Sequence, residues 1–255
     1  MEFLKRSDLA CERSKELNLG YNIKCDVINS IECIYSTHKK DGKTESITVC
    51  TGAIWRYSDD FFSNAVSTVS LCLKEVIKEK RNNPKNILTV CLGNKNITVD
   101  SLGPKVGEKL TPTRHIDIFE NKIGVLIPGV EGQSGFNSLE TVKSNLTVWD
   151  PDVVITVDSL CSRGISRVLS TVQISSYGIL PGSGVGNHKS EISEKTICKP
   201  VISIGVPTVI QYSEGENQKK PEDVDDFYVS HIESDIGIGS YASLISKSIE
   251  KVFFD

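Results

Sequence analysis

Between residues 21 and 46 apolar and polar side chains alternate, with Ile28, Ile31, Cys33 and Tyr35 marking the apolar positions. That period of two is the signature of half-buried strands, and the turn chemistry of Lys39-Lys40-Asp41-Gly42-Lys43 makes the pair a hairpin. Ile47 to Cys50 extends the same sheet. From Asp59 or Asp60 to about Lys80 the spacing changes: Phe61, Ala65, Val69, Leu73 and Ile77 recur every four residues, one face of a helix, with Pro84 beyond its end. Ile87 to Leu92 reads as a buried strand running into Gly93-Asn94 and a loop to Val99, and a helix begins just after Asp100. Ile123 to Ile127 is a further strand, followed by the loop Pro128 to Gly132. Ser134 or Asn137 can cap a helix through Leu139, Val142 and Leu146.

Pro151 closes that connection, and Val153 to Val157 is a run of β-branched and aliphatic residues, short enough for a strand buried on both faces. Asp158 stands where this strand should end, and in open α/β sheets ligands gather at the carboxyl ends of strands. A second apolar run, Thr171 to Ile174, precedes the glycine-dense loop Gly182 to Asn187. Val201 to Gly205 is another strand, closed by Val206-Pro207-Thr208. Residues 213–223 are loop-like, and a last amphipathic helix carries Tyr241, Leu244, Ile245, Ile249 and Val252. Residues 1–20 are charged, with a helical tendency, and read as a mobile tail that partly docks. Strands alternating with helices predict an α/β fold, a three-layer α/β/α arrangement on a largely parallel sheet, as one domain over 1–255.

Composition narrows the function classes. The formal net charge of −4, without a dense Lys/Arg block, argues against nucleic-acid binding, which needs a concentrated cationic face. No apolar stretch approaches the ~18 residues of a membrane span, and the first residues lack a signal-peptide core, so a cytoplasmic location is expected. The eight cysteines show no C-x-x-C and no zinc-ligand spacing with histidine, and read as buried free thiols.

Two aspartates share one local grammar, VDSL at 99–102 and VDSL again at 157–160. If their strands are neighbours, Asp100 and Asp158 converge at one edge of the sheet. Two carboxylates a few ångströms apart cannot both ionise cheaply, so they share a proton and can activate a water without a metal. The competing reading is structural: aspartate is a favoured helix N-cap, and both residues precede expected helices. The loop Gly182-Ser183-Gly184-Val185-Gly186-Asn187 fails as a P-loop, because Ser183 and His188 stand where glycines are required. It is either a tight turn or a set of backbone donors around a polarised carbonyl, with Gly182, Gly184, Gly186 and Asn187 as the candidates. His115 and His188 lack an i+4 partner, no G-x-S-x-G elbow is present, and no histidine is tied by sequence to Cys161.

The segments GNKNITVDSLGPKV (93–106), TRHI (113–116), IPGVEGQSG (127–135), the run from Asp152 to Ser193 and PVISIGVPTVI (200–210) together resemble the germination protease family of spore-forming bacteria. The resemblance is continuous over about 85–212, poor over 20–85, and the insertion usual after the PTV motif is reduced to 213–223. It implies an atypical aspartic endopeptidase that degrades small acid-soluble spore proteins during germination. It further implies a cytoplasmic (forespore or spore core) location, no cofactor and no metal, a homotetramer, and an architecture shared with hydrogenase-maturation peptidases. The family's two proposed catalytic aspartates fall on Asp100 and Asp158. Arg6-Ser7-Asp8-Leu9-Ala10 with Glu12 is similar to the family's prosegment junction, which places the maturation cut of a zymogen between Asp8 and Leu9 and makes 1–8 the prosegment. The alternatives are a family-like spore protein that binds a protein partner without turnover and a metal-dependent maturation-type peptidase.

Overall fold

The computed structural model of the chain describes residues 7–12, 21–39, 42–179, 191–212 and 227–254. Its strands are β1 (Tyr21–Ile28), β2 (Ile31–His38), β3 (Thr44–Cys50), β4 (Asn86–Cys91), β5 (Lys122–Leu126), β6 (Val153–Ser162), β7 (Thr171–Ser175), β8 (Val201–Tyr212) and β9 (Phe227–Val229). The helices are α1 (Asp59–Lys80), α2 (Leu102–Lys109), α3 (Glu131–Ser134), α4 (Ser138–Val148), α5 (Glu194–Ile197) and α6 (Ser234–Phe254).

All nine described strands form one sheet in the order β1-β2-β3-β7-β8-β6-β4-β5, with β9 paired to β8. It has two halves. The strands β8, β6, β4 and β5 run parallel, as crossovers through helices require. The expected hairpin, β3 and β7 add an antiparallel half, joined to the other where β7 pairs β8.

Helices cover both faces. On one, α1, α2 and α6 bury Val69, Leu73, Val106, Leu244 and Ile249 against Ile87, Ile155, Val157 and Ile204. On the other, Val142 of α4 and Ile197 of α5 pack with Leu88, Val90, Val154 and Leu160. Each such side chain withdrawn from water contributes roughly 1.5–3 kcal/mol. The caps follow the chemistry of the termini. Ser58 accepts the Phe61 N–H at the start of α1, and Asn137 and Glu140 form a capping box on α4.

Four expectations change. β6 does not stop at Asp158 but runs on to Ser162, because β8 keeps pairing with it from Asp158↔Gly205 to Ser162↔Ile210. β8 likewise continues through Pro207, which is tolerated beside a register shift at Leu160/Cys161. The described part of the tail, Ser7–Glu12, is docked more firmly than a partly docking mobile segment: Leu9 is wholly buried among Leu160, Ile34 and Ile179. Cys11, Cys33, Cys72, Cys91 and Cys161 are buried free thiols, whereas Cys25 and Cys198 are exposed.

Candidate active site

β4 is the strand that ends beside Asp158 of its neighbour β6. The last β4–β6 pair is Cys91↔Val157, and Leu92 N–H closes the ladder on Val157 O at 2.8 Å. At Gly93 the chain turns away with φ +117°, a conformation suited to glycine. β6, still paired with β8, carries Asp158 past this step. A notch therefore opens in the sheet at the carboxyl end of β4. The connection from β4 to β5 passes over one face through α2, and that from β5 to β6 over the other through α4. The notch is thus the topological switch point, the crevice where open α/β sheets bind ligands.

Asp158 is 3% exposed, and its Oδ1 accepts the Ser159 N–H at 2.8 Å. It lies in register with Gly205 of β8, which lies in register with Gln173 of β7. Partners in register share a face, so Asp158 and Gln173 stand on the same side of the sheet with a residue lacking a side chain between them. That side also carries Leu160.

Asp100 reaches the notch from the other direction. It closes the short helical turn Thr98–Asp100, its Oδ2 accepts the Asn94 N–H at 2.8 Å, and its own N–H donates to Ile97 O. A Cβ on Gly93 would lie 2.0 Å from Asp100 O and 3.3 Å from its Oδ1. Asn94 Oδ1 in turn accepts Asn96 N–H and Gln133 Nε2, each at 3.0 Å. Thr208 Oγ1 donates to Val99 O at 2.7 Å, which ties this loop to β8. The first turn of α2 lies directly on the strand ends, since a Cβ on Gly103 would meet Leu92 O at 2.1 Å and Val157 O at 2.8 Å. Asp100 and Asp158 therefore flank the same step of chain, Leu92–Gly93.

Neither aspartate caps a helix in the manner spacing suggested. The N-cap of α2 is Ser101, and Asp158 lies inside a strand whose continuation contains only the short turn Ile165–Arg167. Aspartate favours caps, but here tertiary pairing decides the backbone around Asp158.

Asp8 and Leu9 are brought to this site. Asp8 N–H donates to Cys161 O and its Oδ2 accepts the Cys161 N–H, both at 2.9 Å. Gln173 grips the next peptides: its Nε2 donates to Asp8 O at 3.2 Å, and its Oε1 accepts the Ala10 N–H at 2.6 Å. Glu12 accepts the N–H groups of Arg163 and Gly164 as well as the Ser7 hydroxyl. The strap Ser7–Glu12 is thereby laid over the face that carries Asp158, with the Asp8–Leu9 peptide hydrogen-bonded on both sides. Spacing missed Gln173, Glu12, Asn94 and Gln133. Glu12 is marked only by the resemblance of the prosegment junction, and Gln173 leaves a trace as the one amide inside the apolar run Thr171–Ile174.

Gly182, Gly184, Gly186 and Asn187, together with His188, lie outside the described residues. The base of their loop is placed: Ile179 and Ile192 exchange two backbone hydrogen bonds of 2.9 Å, and both pack with Leu9 and Leu160. Cys161 is buried, and its Sγ approaches Ser162 O at 3.7 Å. Burial pushes the Cys91 thiol, beneath α2, up to about 12, so it serves as a small apolar filler. His115 is exposed. Among the described residues no three His, Cys, Asp or Glu side chains gather as metal ligands would, and no helix is long and apolar enough to cross a membrane.

A model of the germination protease family matches residues 14–236. The germination protease of Clostridium perfringens is 38% identical over 172 residues, covering 64% of this chain and 52% of that protein. That of Bacillus licheniformis is 47% identical over 131 residues, covering 48% and 36%. The chain spans about half the length of the curated relatives it matches, or less. Among solved structures, the [NiFe] hydrogenase maturation protease HycI from Thermococcus kodakarensis KOD1 is similar over 69% of this chain and 99% of that one, at 16% identity and a TM-score of 0.38.

Proposed function

Because the chain belongs to the germination protease family, we propose that it is an endopeptidase whose Asp100 and Asp158 activate a water to cut small acid-soluble spore proteins in the spore core. One carboxylate takes a proton from the water as its oxygen attacks the scissile carbonyl carbon. The other, protonated, donates a hydrogen bond to the carbonyl oxygen as charge develops there, and a proton then passes to the departing amide nitrogen. The observation that carries this reading is the notch: two aspartates flank Leu92–Gly93 at the switch point, one held by Asn94 N–H and the other by Ser159 N–H. Each backbone donor fixes one carboxylate oxygen and so orients the whole group.

In this reading the strap Ser7–Glu12 spans the junction of a zymogen, whose prosegment 1–8 is released by a cut between Asp8 and Leu9, and the active enzyme is a homotetramer. The strap's place across the face of Asp158 supports the first of these, since a substrate entering over that face must displace it. The test uses the purified chain and a purified small acid-soluble spore protein. The full-length chain and a chain beginning at Leu9 are each compared with Asp100→Asn and Asp158→Asn. The proposal expects cleavage by the trimmed chain and loss in both variants with melting temperature preserved. Cleavage that survives both substitutions removes the paired-aspartate mechanism, and a trimmed chain that binds the spore protein without cutting it makes this a binding protein. Inhibition by a chelator points to a metal instead.

A further inference from the structure

The edge of the sheet at β5 holds a second constellation, away from the two aspartates. Lys122 N–H donates to Lys85 O of the neighbouring chain segment, so Lys122, Gly124 and Leu126 turn their peptide groups toward β4. The period of two then directs the peptide groups of Ile123 and Val125 outward. Those of Ile123 are taken: its N–H donates to Thr113 Oγ1 at 3.0 Å, and its carbonyl accepts the N–H groups of Thr113 and Arg114 at 2.9 and 3.1 Å. One pleat further on, Val125 has no outward partner among the described residues. A surface cavity of about 450 Å³ opens there, lined by Pro112, Arg114, His115, Gly124 and Val125.

Arg114 is held in place beside this opening. Its guanidinium lies 5.1 Å from the centre of the Trp149 ring, a cation–π arrangement that fixes the plane of its donors. Trp149 reaches that position only because residue 124 is glycine, since a Cβ there would come within 2.5 Å of the ring. Among the described residues no hydrogen bond or ion pair engages the guanidinium. A planar fork of donors thus stands next to an open strand edge, with the imidazole of His115 on the same cavity wall.

We propose that this edge binds an extended peptide segment bearing a carboxylate side chain. The peptide adds as a strand to β5 through the N–H and carbonyl of Val125, and its Asp or Glu pairs with the fork of Arg114. Strand addition supplies the main-chain hydrogen bonds and the charged fork supplies the selectivity. The assignment stands apart from the chemistry of Asp100 and Asp158, so either can fail alone.

The test replaces Trp55 by Phe, which leaves Trp149 as the sole indole, and titrates the full chain with the capped peptide Thr-Ser-Val-Glu-Val-Ser-Thr while reading its fluorescence. We expect saturable binding with a Kd on the order of 100 μM. Glu→Gln in the peptide, or Arg114→Ala in the protein, weakens it by roughly tenfold or more, the size of a lost charge-assisted hydrogen bond. N-methylation of the peptide bond facing Val125 weakens it similarly. Equal binding of the Glu and Gln peptides overturns the proposal, as does the same fluorescence change from sodium acetate at equal concentration. It is also overturned if the peptide leaves the signal unchanged while Arg114→Ala shifts the sedimentation mass, for then a second copy of this chain occupies the edge. Should Arg114→Ala fail to fold, the peptide comparisons on the wild-type chain still decide.

Discussion

The ladder between β4 and β6 has an aspartate at each of its ends, and the two are used in opposite ways. Just before β6, Asp152 lies where the β4–β6 ladder begins. Its Oδ2 accepts the N–H groups of Lys85 and Asn86 at 2.8 and 2.9 Å, its own N–H donates to Asn86 O at 2.7 Å, and Arg81 pairs with Oδ1 at 3.5 Å. The carboxylate caps the start of β4 as a side chain caps a helix, supplying acceptors that the sheet has not yet provided. Asp158 lies where that ladder has just stopped. There β4 turns away at Gly93, β8 continues, and the carboxylate is buried beside a gap in the sheet. A carboxylate at the amino end closes the fold, whereas one at the carboxyl end borders a notch.

The largest test of this contrast exchanges function for stability. Asp158→Asn keeps an oxygen to accept the Ser159 N–H, so melting should move by no more than a few degrees. Cleavage of a spore protein should fall by about 10³-fold or more, as when a group acting in the transition state is removed. Asp152→Asn should leave turnover per folded molecule unchanged, its effect confined to a modest loss of stability. A pair of variants that lose activity alike, in step with loss of fold, would erase the distinction.

Much of this was legible in the sequence, for reasons that also explain the failures. The four-residue recurrence of Phe61, Ala65, Val69, Leu73 and Ile77 located α1 because an amphipathic helix writes its period along the chain. The repeated VDSL drew attention to both aspartates. What local pattern could not supply was pairing. β6 outruns its apolar core because β8 continues beside it, β8 outlasts Pro207 because of a register shift, and Leu9 is buried because Gln173 and Cys161 hold its neighbours. Each depends on a residue far along the chain, which is where single-sequence periodicity is blind.

Breaking the carboxyl end by packing rather than chemistry comes next in size. Gly103 rests on the backbone of Leu92 and Val157, so Gly103→Ala must lift α2 from the strand ends or distort them. A cost of about 3 kcal/mol is expected, with loss of activity because Asp100 precedes that turn. Gly239→Ala is the control: nothing lies within 4 Å of a Cβ built at this position in the second turn of α6, so it should gain up to ~1 kcal/mol from helix propensity. Equal melting temperatures for the two variants would mean that α2 is not seated on the notch as described.

The strap offers a smaller perturbation of the same end. Leu9→Ala empties a fully buried site and should cost about 2–3 kcal/mol. If the strap shields the Asp8–Leu9 peptide, the variant should also be cut there faster by an added protease, followed by mass spectrometry. A variant as resistant as the parent would show that Leu9 anchors the core without controlling access to the bond.

The finest test returns to Asp152 and asks how its stabilisation depends on pH. Burial alone would raise this carboxyl, but the N–H groups of Asn86 and Lys85, with the nearby charges of Arg81 and Lys199, outweigh burial and hold it below the usual range. A carboxylate whose pKa is lower folded than unfolded stabilises the protein above the unfolded value of about 3.9, and that contribution fades as pH falls through the folded value. Asp152→Asn retains an acceptor but loses the charge, so at pH 7 it should cost about 1 kcal/mol, the scale of a partly exposed charge-assisted hydrogen bond. Urea melts of parent and variant should therefore differ most near neutrality and draw together as pH falls below about 4 and through the folded value. A gap that stays constant on acidification would assign the effect to hydrogen-bond geometry rather than charge. A gap that widens on acidification would mean that the carboxyl is raised in the folded state, and that the amino end of the β4–β6 ladder is no better satisfied than its carboxyl end.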